Sequence, residues 1–430
     1  MKTYLKNSII YQAFVRNFTP EGTFKSLENK LDYIKSLKTD ILYLLPISPI
    51  GVDGRKGDLG SPYSISDYRQ INPEYGTLDD FKSLINKTHQ HGMKIMIDVV
   101  FNHTSRDSWI LKNHPERMYK NNNGQFANKA GDWSDVYDLD TTNKDLIKYL
   151  VDTIELYCSY GVDGFRFDVG SLISKEFYIA LMKMLNAKYP ETILLCESVH
   201  SQFINYIRGV GFNALSDAEI VALGFDLLYT YNTMEYFSKY YSTNNPFYFE
   251  IYKGQLELEE ASNPKESLRI RGLENHDQPR LIEYTKDINI RKNLLAFPAF
   301  MKGPLFIYNG LETKADHHLS LFTKDLLDLS IDKEWLNYVY KIISFKKDDK
   351  NLRLNTSIPL VTEGLSLIIE NTYENNEKAY GLFNLTPDEI IFEHEGLEDG
   401  DYIDYLSNKN ITIKNHKVSS IGPLYLFKIE

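Results

Sequence analysis

Cysteine is nearly absent, with only Cys158 and Cys196 in 430 residues. Two thiols cannot build a disulfide framework, and so sparse a complement fits a reducing compartment. Long apolar runs are also missing. No stretch approaches the ~18 residues of a membrane span, and the N-terminus, Met1-Lys2-Thr3-Tyr4-Leu5-Lys6-Asn7, lacks the apolar core of a signal peptide. Positive charge is in deficit: 48 Lys and Arg against 59 Asp and Glu leave a formal charge of −11. That balance excludes a dominant nucleic-acid role, because phosphate binding needs local positive charge, and the short piece Ser344-Phe345-Lys346-Lys347 does not overturn it. No Gly-rich loop ends in Gly-Lys-Ser/Thr, no helix carries His-Glu-x-x-His, and Gly209-Val210-Gly211 lacks the third glycine of a dinucleotide fingerprint. There are no internal repeats. The expectation is a soluble, cytoplasmic, multidomain protein without membrane or nucleic-acid partners.

What is present is an alternation. Strand-like apolar runs fall at residues 9–15, 41–45, 94–100, 164–168, 193–197, 212–216, 268–273 and 305–308. Helical stripes lie between them: Phe24, Leu27, Leu31, Ile34 and Leu37; then Leu78, Phe81, Leu84 and Ile85; then Ile147, Leu150, Val151, Ile154 and Cys158. Gly92 and Gly161 stand where helix C-caps are expected. Eight strands each followed by helical material predict an α/β fold, a (β/α)8 TIM barrel, although an open doubly wound sheet would show the same alternation. The barrel is expected over residues 1–103 and 143–349, interrupted by an inserted domain at 104–142 that is too long for an ordinary βα loop. From 350 to 430 short strands separated by turns predict an all-β sandwich. Tyr (31) and Phe (23) are abundant; they read either as sugar-stacking platforms or as a composition bias shared with Lys, Asn and Ile.

Active sites of barrels collect at the C-terminal ends of the strands. The third strand ends with Asp98-Val99-Val100-Phe101-Asn102-His103, the fourth with Gly164-Phe165-Arg166-Phe167-Asp168 and the fifth with Cys196-Glu197. The seventh leads into Glu274-Asn275-His276-Asp277. Strand alternation puts Arg166 and Asp168 on one side, where the guanidinium would favour an ionised carboxylate. Singly, each acidic residue reads as a solvated turn and His103 as a structural histidine. Together, three carboxyls, two histidines and an arginine at one rim suit glycoside cleavage, in which one carboxylate attacks the anomeric carbon and another carboxyl protonates the leaving oxygen. Cys196, one residue before Glu197, should face the helical layer and is read as packing, while Asp316-His317-His318 and His394-Glu395 read as surface.

At these residues the chain resembles the α-amylase superfamily of glycoside hydrolases. Asp98–His103, Gly164–Asp168, Glu197 and Asn275-His276-Asp277 resemble its four motifs in order, Gly60-Ser61-Pro62-Tyr63 the segment carrying a sugar-stacking tyrosine, and Asp138-Leu139-Asp140 a further family motif. The resemblance implies Asp168 as nucleophile, Glu197 as general acid and base, and Asp277 as the carboxylate that binds hydroxyls of the cleaved sugar. It further implies hydroxyl contacts from His103 and His276, support of Asp168 by Arg166, stacking by Tyr63, and structural roles for Asp98 and Asn102. Asn102 also matches a family calcium ligand that Asp132, Asp135 or Asp138 could join, so a structural calcium is possible and no cofactor is required for the chemistry.

Two departures bear on specificity. Val169-Gly170-Ser171 follows Asp168 where many starch-cleaving members carry a Lys-His pair, and a valine there also occurs in relatives preferring α-1,6 bonds. The reading is therefore a retaining α-glucan hydrolase of α-amylase type, acting mainly on α-1,4 bonds of maltodextrin-like oligosaccharides. The alternatives are an exo-acting α-glucosidase or oligo-1,6-glucosidase, a 4-α-glucanotransferase and, remotely, a non-catalytic glycan-binding protein. Oligomeric state is not legible.

Overall fold

Parallel strands covered on both faces must be apolar nearly throughout, and this chain supplies such segments repeatedly. β1 (Ile9–Ala13), β2 (Ile41–Leu44), β4 (Gly164–Phe167), β5 (Ile193–Cys196) and β8 (Leu305–Tyr308) are buried at every residue, and β3 (Lys94–Val99) at all but its first. The computed structural model describes residues 2–131, 133–262, 267–313 and 315–429. Eight parallel strands alternate with helices along the chain, and an antiparallel β domain follows, as the sequence predicts. By contacts the chain divides into two compact units: Tyr11–Tyr229 with Leu319–Leu327, and Met1–Ile10 with Thr230–His318 and Asp328–Glu430.

In the first unit, β2, β3, β4, β5 and β6 (Leu227–Leu228) pair in parallel in that order. Register sets the chemistry: Asp98 on β3 lies directly opposite Arg166 on β4. The sixth strand departs from expectation. Residues 212–216 are not a strand, because Ser216 caps the helix Asp217–Ala222 in a reciprocal box with Glu219, and the chain reaches the sheet only at β6. The first helical stripe is broken into Phe24–Glu28 and Leu31–Ser36, with its apolar face kept. The third becomes Lys144–Tyr160, which buries Leu146, Leu150, Ile154 and Cys158 rather than Ile147 and Val151. Gly161 ends it at φ 101°, a left-handed conformation suited to glycine. The insertion leaves and returns on a ladder, His103–Ser105 antiparallel to Val136–Asp138.

Leu319–Leu327 is held in the same unit by Arg16, which is fully buried. Its guanidinium donates to Glu74 Oε1 (2.8 Å) and Oε2 (2.9 Å), to Gly60 O (3.0 Å) and to Leu321 O (3.0 Å). Asn17 Nδ2 donates to Ser320 O at 2.9 Å. One cation thus ties the chain after β1, the loop after β2 and the late segment together.

In the second unit, Leu305 N of β8 donates to Ser8 O (3.0 Å), and Phe306 N to Arg271 O (2.9 Å) just beyond β7 (Leu268–Arg269). The C-terminal domain is a six-stranded antiparallel sheet in the order Leu354–Leu360, Ser366–Tyr373, Lys378–Asn384, Leu424–Lys428, Gly400–Asp404, Lys409–Ile413, together with the pair Ile390–Glu393 and Lys417–Ser420. Ile368, Tyr380, Leu382, Phe392, Tyr402, Val418 and Leu426 form one core from both sheets. On the six-stranded sheet, Tyr425 lies against Phe300 (4.9 Å between centroids) and Phe345 (4.4 Å) of the helices Ile288–Phe300 and Lys333–Lys346. No helix among the described residues is long and apolar enough to cross a membrane.

Removing one partner of a buried pair strands the other charge, at a cost of about 3–5 kcal/mol. Glu74 keeps 28% of its side chain exposed and Arg16 retains its carbonyl partners, so Glu74→Ala is expected to lower unfolding free energy by less, about 2 kcal/mol, measured by chemical denaturation. Lys87→Ala, which removes a half-exposed cation and leaves Glu28 its bond from Ser83, is expected to change it by about 1 kcal/mol.

Candidate active site

Arg166 sits at the centre of the first unit's strand ends, with none of its surface exposed. Its Nη1 donates to both oxygens of Asp98 at 3.0 Å and to Asp168 Oδ1 at 2.8 Å. Its Nη2 forms an ion pair with Glu197 Oε1 at 2.8 Å. β3, β4 and β5 each end in a carboxyl on the same guanidinium, which follows from the register and from Asp168 lying two residues beyond Arg166. Asp98 is fixed further by the hydroxyls of Tyr43 (2.7 Å) and Tyr63 (2.9 Å), and the Tyr63 ring lies 5.7 Å from the guanidinium carbon.

Asp168 is divided. Oδ1 is held by Arg166, whereas Oδ2 is buried with no hydrogen-bond partner among the described residues. The nearest imidazole nitrogen, His103 Nε2, is 3.9 Å away. Glu197 Oε2 accepts the Val169 backbone N–H at 2.6 Å. Val169 reaches that pose at φ 43°, ψ 41°, a strained conformation for a β-branched residue. The strain aims an amide at the carboxyl.

The charges set the protonation states. Burial opposes the Arg166 cation, but Asp98 and Glu197 outweigh it and hold the guanidinium above its ordinary range. The expectation that Arg166 keeps Asp168 ionised is not met by the charges alone: burial pushes the Asp168 carboxyl well up and outweighs Arg166, which opposes this, while Glu197 and Asp98 add to it. One guanidinium divided among three carboxyls cannot neutralise them all, so a proton is favoured within the cluster. Burial lowers His103 from its ordinary 6.5 to about 4, making it neutral near pH 7. Cys196 is buried, and burial raises its thiol well above the ordinary range, consistent with packing rather than nucleophilic chemistry.

Asn102 is buried, with Nδ2 3.3 Å from His103 Nδ1 and its backbone oxygen accepting Leu139 N at 2.9 Å. It joins the end of β3 to the strand closing the insertion. Asn102 Oδ1 is buried with no hydrogen-bond partner among the described residues, an oxygen of the kind calcium takes. Of its possible companions, Asp135 pairs with Lys56 at 3.0 Å, and Asp138 accepts the Lys129 backbone N–H at 2.7 Å. Lys129 Nζ donates to Leu139 O at 3.0 Å. Asp132 lies outside the described residues, among which no group of three or more acidic, histidine or cysteine side chains is placed to hold a metal. His276 and Asp277 belong to the second unit, where His276 is buried with Nε2 3.0 Å from Asp277 Oδ2. Asp277 N donates to Asn275 Oδ1 at 2.7 Å. Asp316 and His317 form an exposed local pair at 2.8 Å.

Sequence reasoning overlooks Tyr43, Trp133, whose ring centroid is 5.4 Å from that of His103, and Val169 as a donor. A tyrosine inside the aliphatic run Ile41-Leu42-Tyr43-Leu44 was the available signal for the first. The other two depend on loop conformation.

Two outcomes follow. A Cβ at Gly170 would overlap Cys196 Sγ, beside Glu197. Gly170→Ala should therefore destabilise the fold by about 1–3 kcal/mol and displace Glu197, read by denaturation and by a crystal structure of the variant. His103 has its folded pKa depressed, so its contribution is present above pH 6.5 and is lost as pH falls toward 4. His103→Asn should remove on the order of 3 kcal/mol of this acid sensitivity, seen as a flatter profile of stability between those pH values.

Residues 9–133 and 112–353 match the family description "Alpha amylase, catalytic domain", and 366–423 match "Bacterial Alpha amylase C-terminal domain". The crystal structure of an α-amylase from Lactobacillus plantarum is 38% identical, with a TM-score of 0.90 and full coverage of both chains. A noncanonic maltogenic α-amylase from Thermotoga neapolitana is 26% identical with a TM-score of 0.84, covering 99% of this chain and 100% of its own. "Alpha-amylase 3" of Dictyoglomus thermophilum is 32% identical over 248 residues, 49% of this chain and about half (47%) of that relative's length. An intracellular maltogenic amylase of Bacillus subtilis is 25% identical over 92% of this chain and 65% of its own. With three of the four motifs on the ends of the neighbouring parallel strands β3, β4 and β5 and the catalytic-domain match covering most of its length, the chain belongs to the α-amylase family of glycoside hydrolases.

Proposed function

We propose that the protein is a retaining hydrolase of α-glucosidic bonds, mainly α-1,4, in maltodextrin-like oligosaccharides, working inside the cell. The observation that carries this reading is the division of Asp168, one oxygen gripped by Arg166 and the other left without a hydrogen bond. That is the state a nucleophilic carboxylate needs: oriented, yet with a lone pair free for the anomeric carbon. Glu197 on the other arm of the same guanidinium supplies the second carboxyl. Two carboxyls sharing one guanidinium suit the close pair of a retaining enzyme, about 5–5.5 Å, better than the wider pair of an inverting one.

With the cluster's shared proton on Glu197 and Asp168 ionised, Asp168 Oδ2 attacks the anomeric carbon while Glu197 gives that proton to the departing glycosidic oxygen. The resulting ester is neutral at Asp168, so Glu197 is left as a carboxylate without its negative neighbour. In that state it is the base that takes a proton from the attacking water. The water oxygen bonds to the anomeric carbon, the ester breaks and Asp168 is regenerated as carboxylate. Neutral His103 donates to or accepts from a sugar hydroxyl, and Tyr63 stacks beneath the ring. The roles of His276 and Asp277 in hydroxyl binding rest on the motif alone. The relative named intracellular supports the location.

Asp168→Asn is expected to lower kcat by at least ~10³-fold with folding unchanged. Maltoheptaose should give short maltooligosaccharides whose new reducing ends first appear as the α-anomer by NMR. A second reading, cleavage of α-1,6 bonds by exo attack, is favoured by Val169 after the nucleophile and by an oligo-1,6-glucosidase of Bacillus cereus, 28% identical over 265 residues. Glucose as first product, with isomaltose preferred to maltose, would select it.

A further inference from the structure

The second unit contains a cleft of about 640 Å³ between the helix Lys333–Lys346, the turn after it and the C-terminal sheet. That volume is within the ~300–1,000 Å³ of small-molecule sites. None of the motif residues lines it.

Its walls are aromatic. Phe345 lies at 5.2 Å from Tyr405 and 6.3 Å from Phe427, centroid to centroid, and Tyr405 on the rim is 38% exposed. The floor is polar and incompletely satisfied. Asn351, 1% exposed, uses Nδ2 on Phe345 O at 2.6 Å, but its Oδ1 is buried with no hydrogen-bond partner among the described residues. The Tyr373 hydroxyl, likewise buried, interacts with the Asn371 side chain. An unmatched atom such as Asn351 Oδ1 is costly. Two ammonium groups border the cleft, and both are engaged: Lys350 with Glu377 at 2.8 Å and over the Phe427 ring at 4.4 Å, Lys341 with Leu406 O at 3.2 Å. Asp348 accepts Lys350 N at 2.9 Å.

This combination selects a chemistry. An anion would find both cations already engaged, and an aliphatic ligand would leave Asn351 Oδ1 unmatched. A pyranose fits both demands, with apolar C–H faces for the rings and hydroxyls that donate and accept. We propose that this cleft is a second, non-catalytic binding site for a neutral oligosaccharide; that the sugar is an α-glucan rests on the proposed function. Holding a chain here would tether a longer substrate while other parts of it are processed.

The test is calorimetric titration of maltoheptaose into the full chain carrying Asp168→Asn. Two binding steps are expected, one of them weakened at least tenfold by Tyr405→Ala. Ser407→Trp, which fills the cleft from its exposed rim, is expected to abolish the same step even if Tyr405→Ala folds poorly. In the wild-type background both rim variants should keep their kcat/KM on a short chromogenic maltoside within twofold. A single-step isotherm, or two steps unchanged in both variants, would overturn the second site. Residual turnover by Asp168→Asn would instead count against the active-site reading and leaves the second step to be judged on its own.

Discussion

One buried guanidinium governs the geometry of the first unit's strand ends. Arg166 has no contact with water, and its charge is tolerated only because three carboxyls surround it. Those carboxyls in turn could not be brought together without it. Removing a buried charge from water costs several kcal/mol per ion, so the cluster exists only as a whole. Its members come from three neighbouring strands, and the register between β3 and β4 is what makes Asp98 and Arg166 face each other. A slip of one residue would turn every one of these side chains to the opposite face.

The arrangement is also unbalanced, which gives it reactivity as well as order. Three acidic groups around one cation leave an excess of negative charge if all ionise, and burial adds to the pressure on Asp168. A proton shared within the group relieves that pressure and can move when one carboxyl changes charge. Asp98 is braced by two tyrosine hydroxyls and both bonds from Arg166. It behaves as a fixed anchor, while Asp168 keeps Oδ2 outside the grip of Arg166.

How much of this the sequence reveals depends on the length of the signal. Strands such as Lys94–Val99 and Ile193–Cys196 announce themselves as continuous apolar runs, and the acidic residues after them follow automatically. β6 has only two residues, too few for any periodicity, and its neighbourhood is dominated by Ser216 and Glu219, whose capping signal outweighs the apolar character of Phe212–Leu215. In the C-terminal domain, Leu354–Leu360 and Lys409–Ile413 pass unnoticed because each lies at a sheet edge with more than half of its residues exposed or only partly buried. Tyr43 leaves only a faint mark, one polar-tipped ring inside an aliphatic run. Val169 leaves none, because its part depends on a strained backbone that has no compositional trace.

The role of Arg16 reaches beyond stability. Its guanidinium is completed by the carbonyl of Leu321, 305 positions later, and Leu59 N and Asn17 Nδ2 likewise bond to residues of Leu319–Leu327. During synthesis the ribosome delivers Tyr11–Tyr229 long before this strap exists. At roughly 5–20 residues per second, the nascent unit waits several seconds or more with a buried cation only partly matched. Its final closure is therefore a late event in translation, set by when Leu327 clears the exit tunnel rather than by when the catalytic strands have been made.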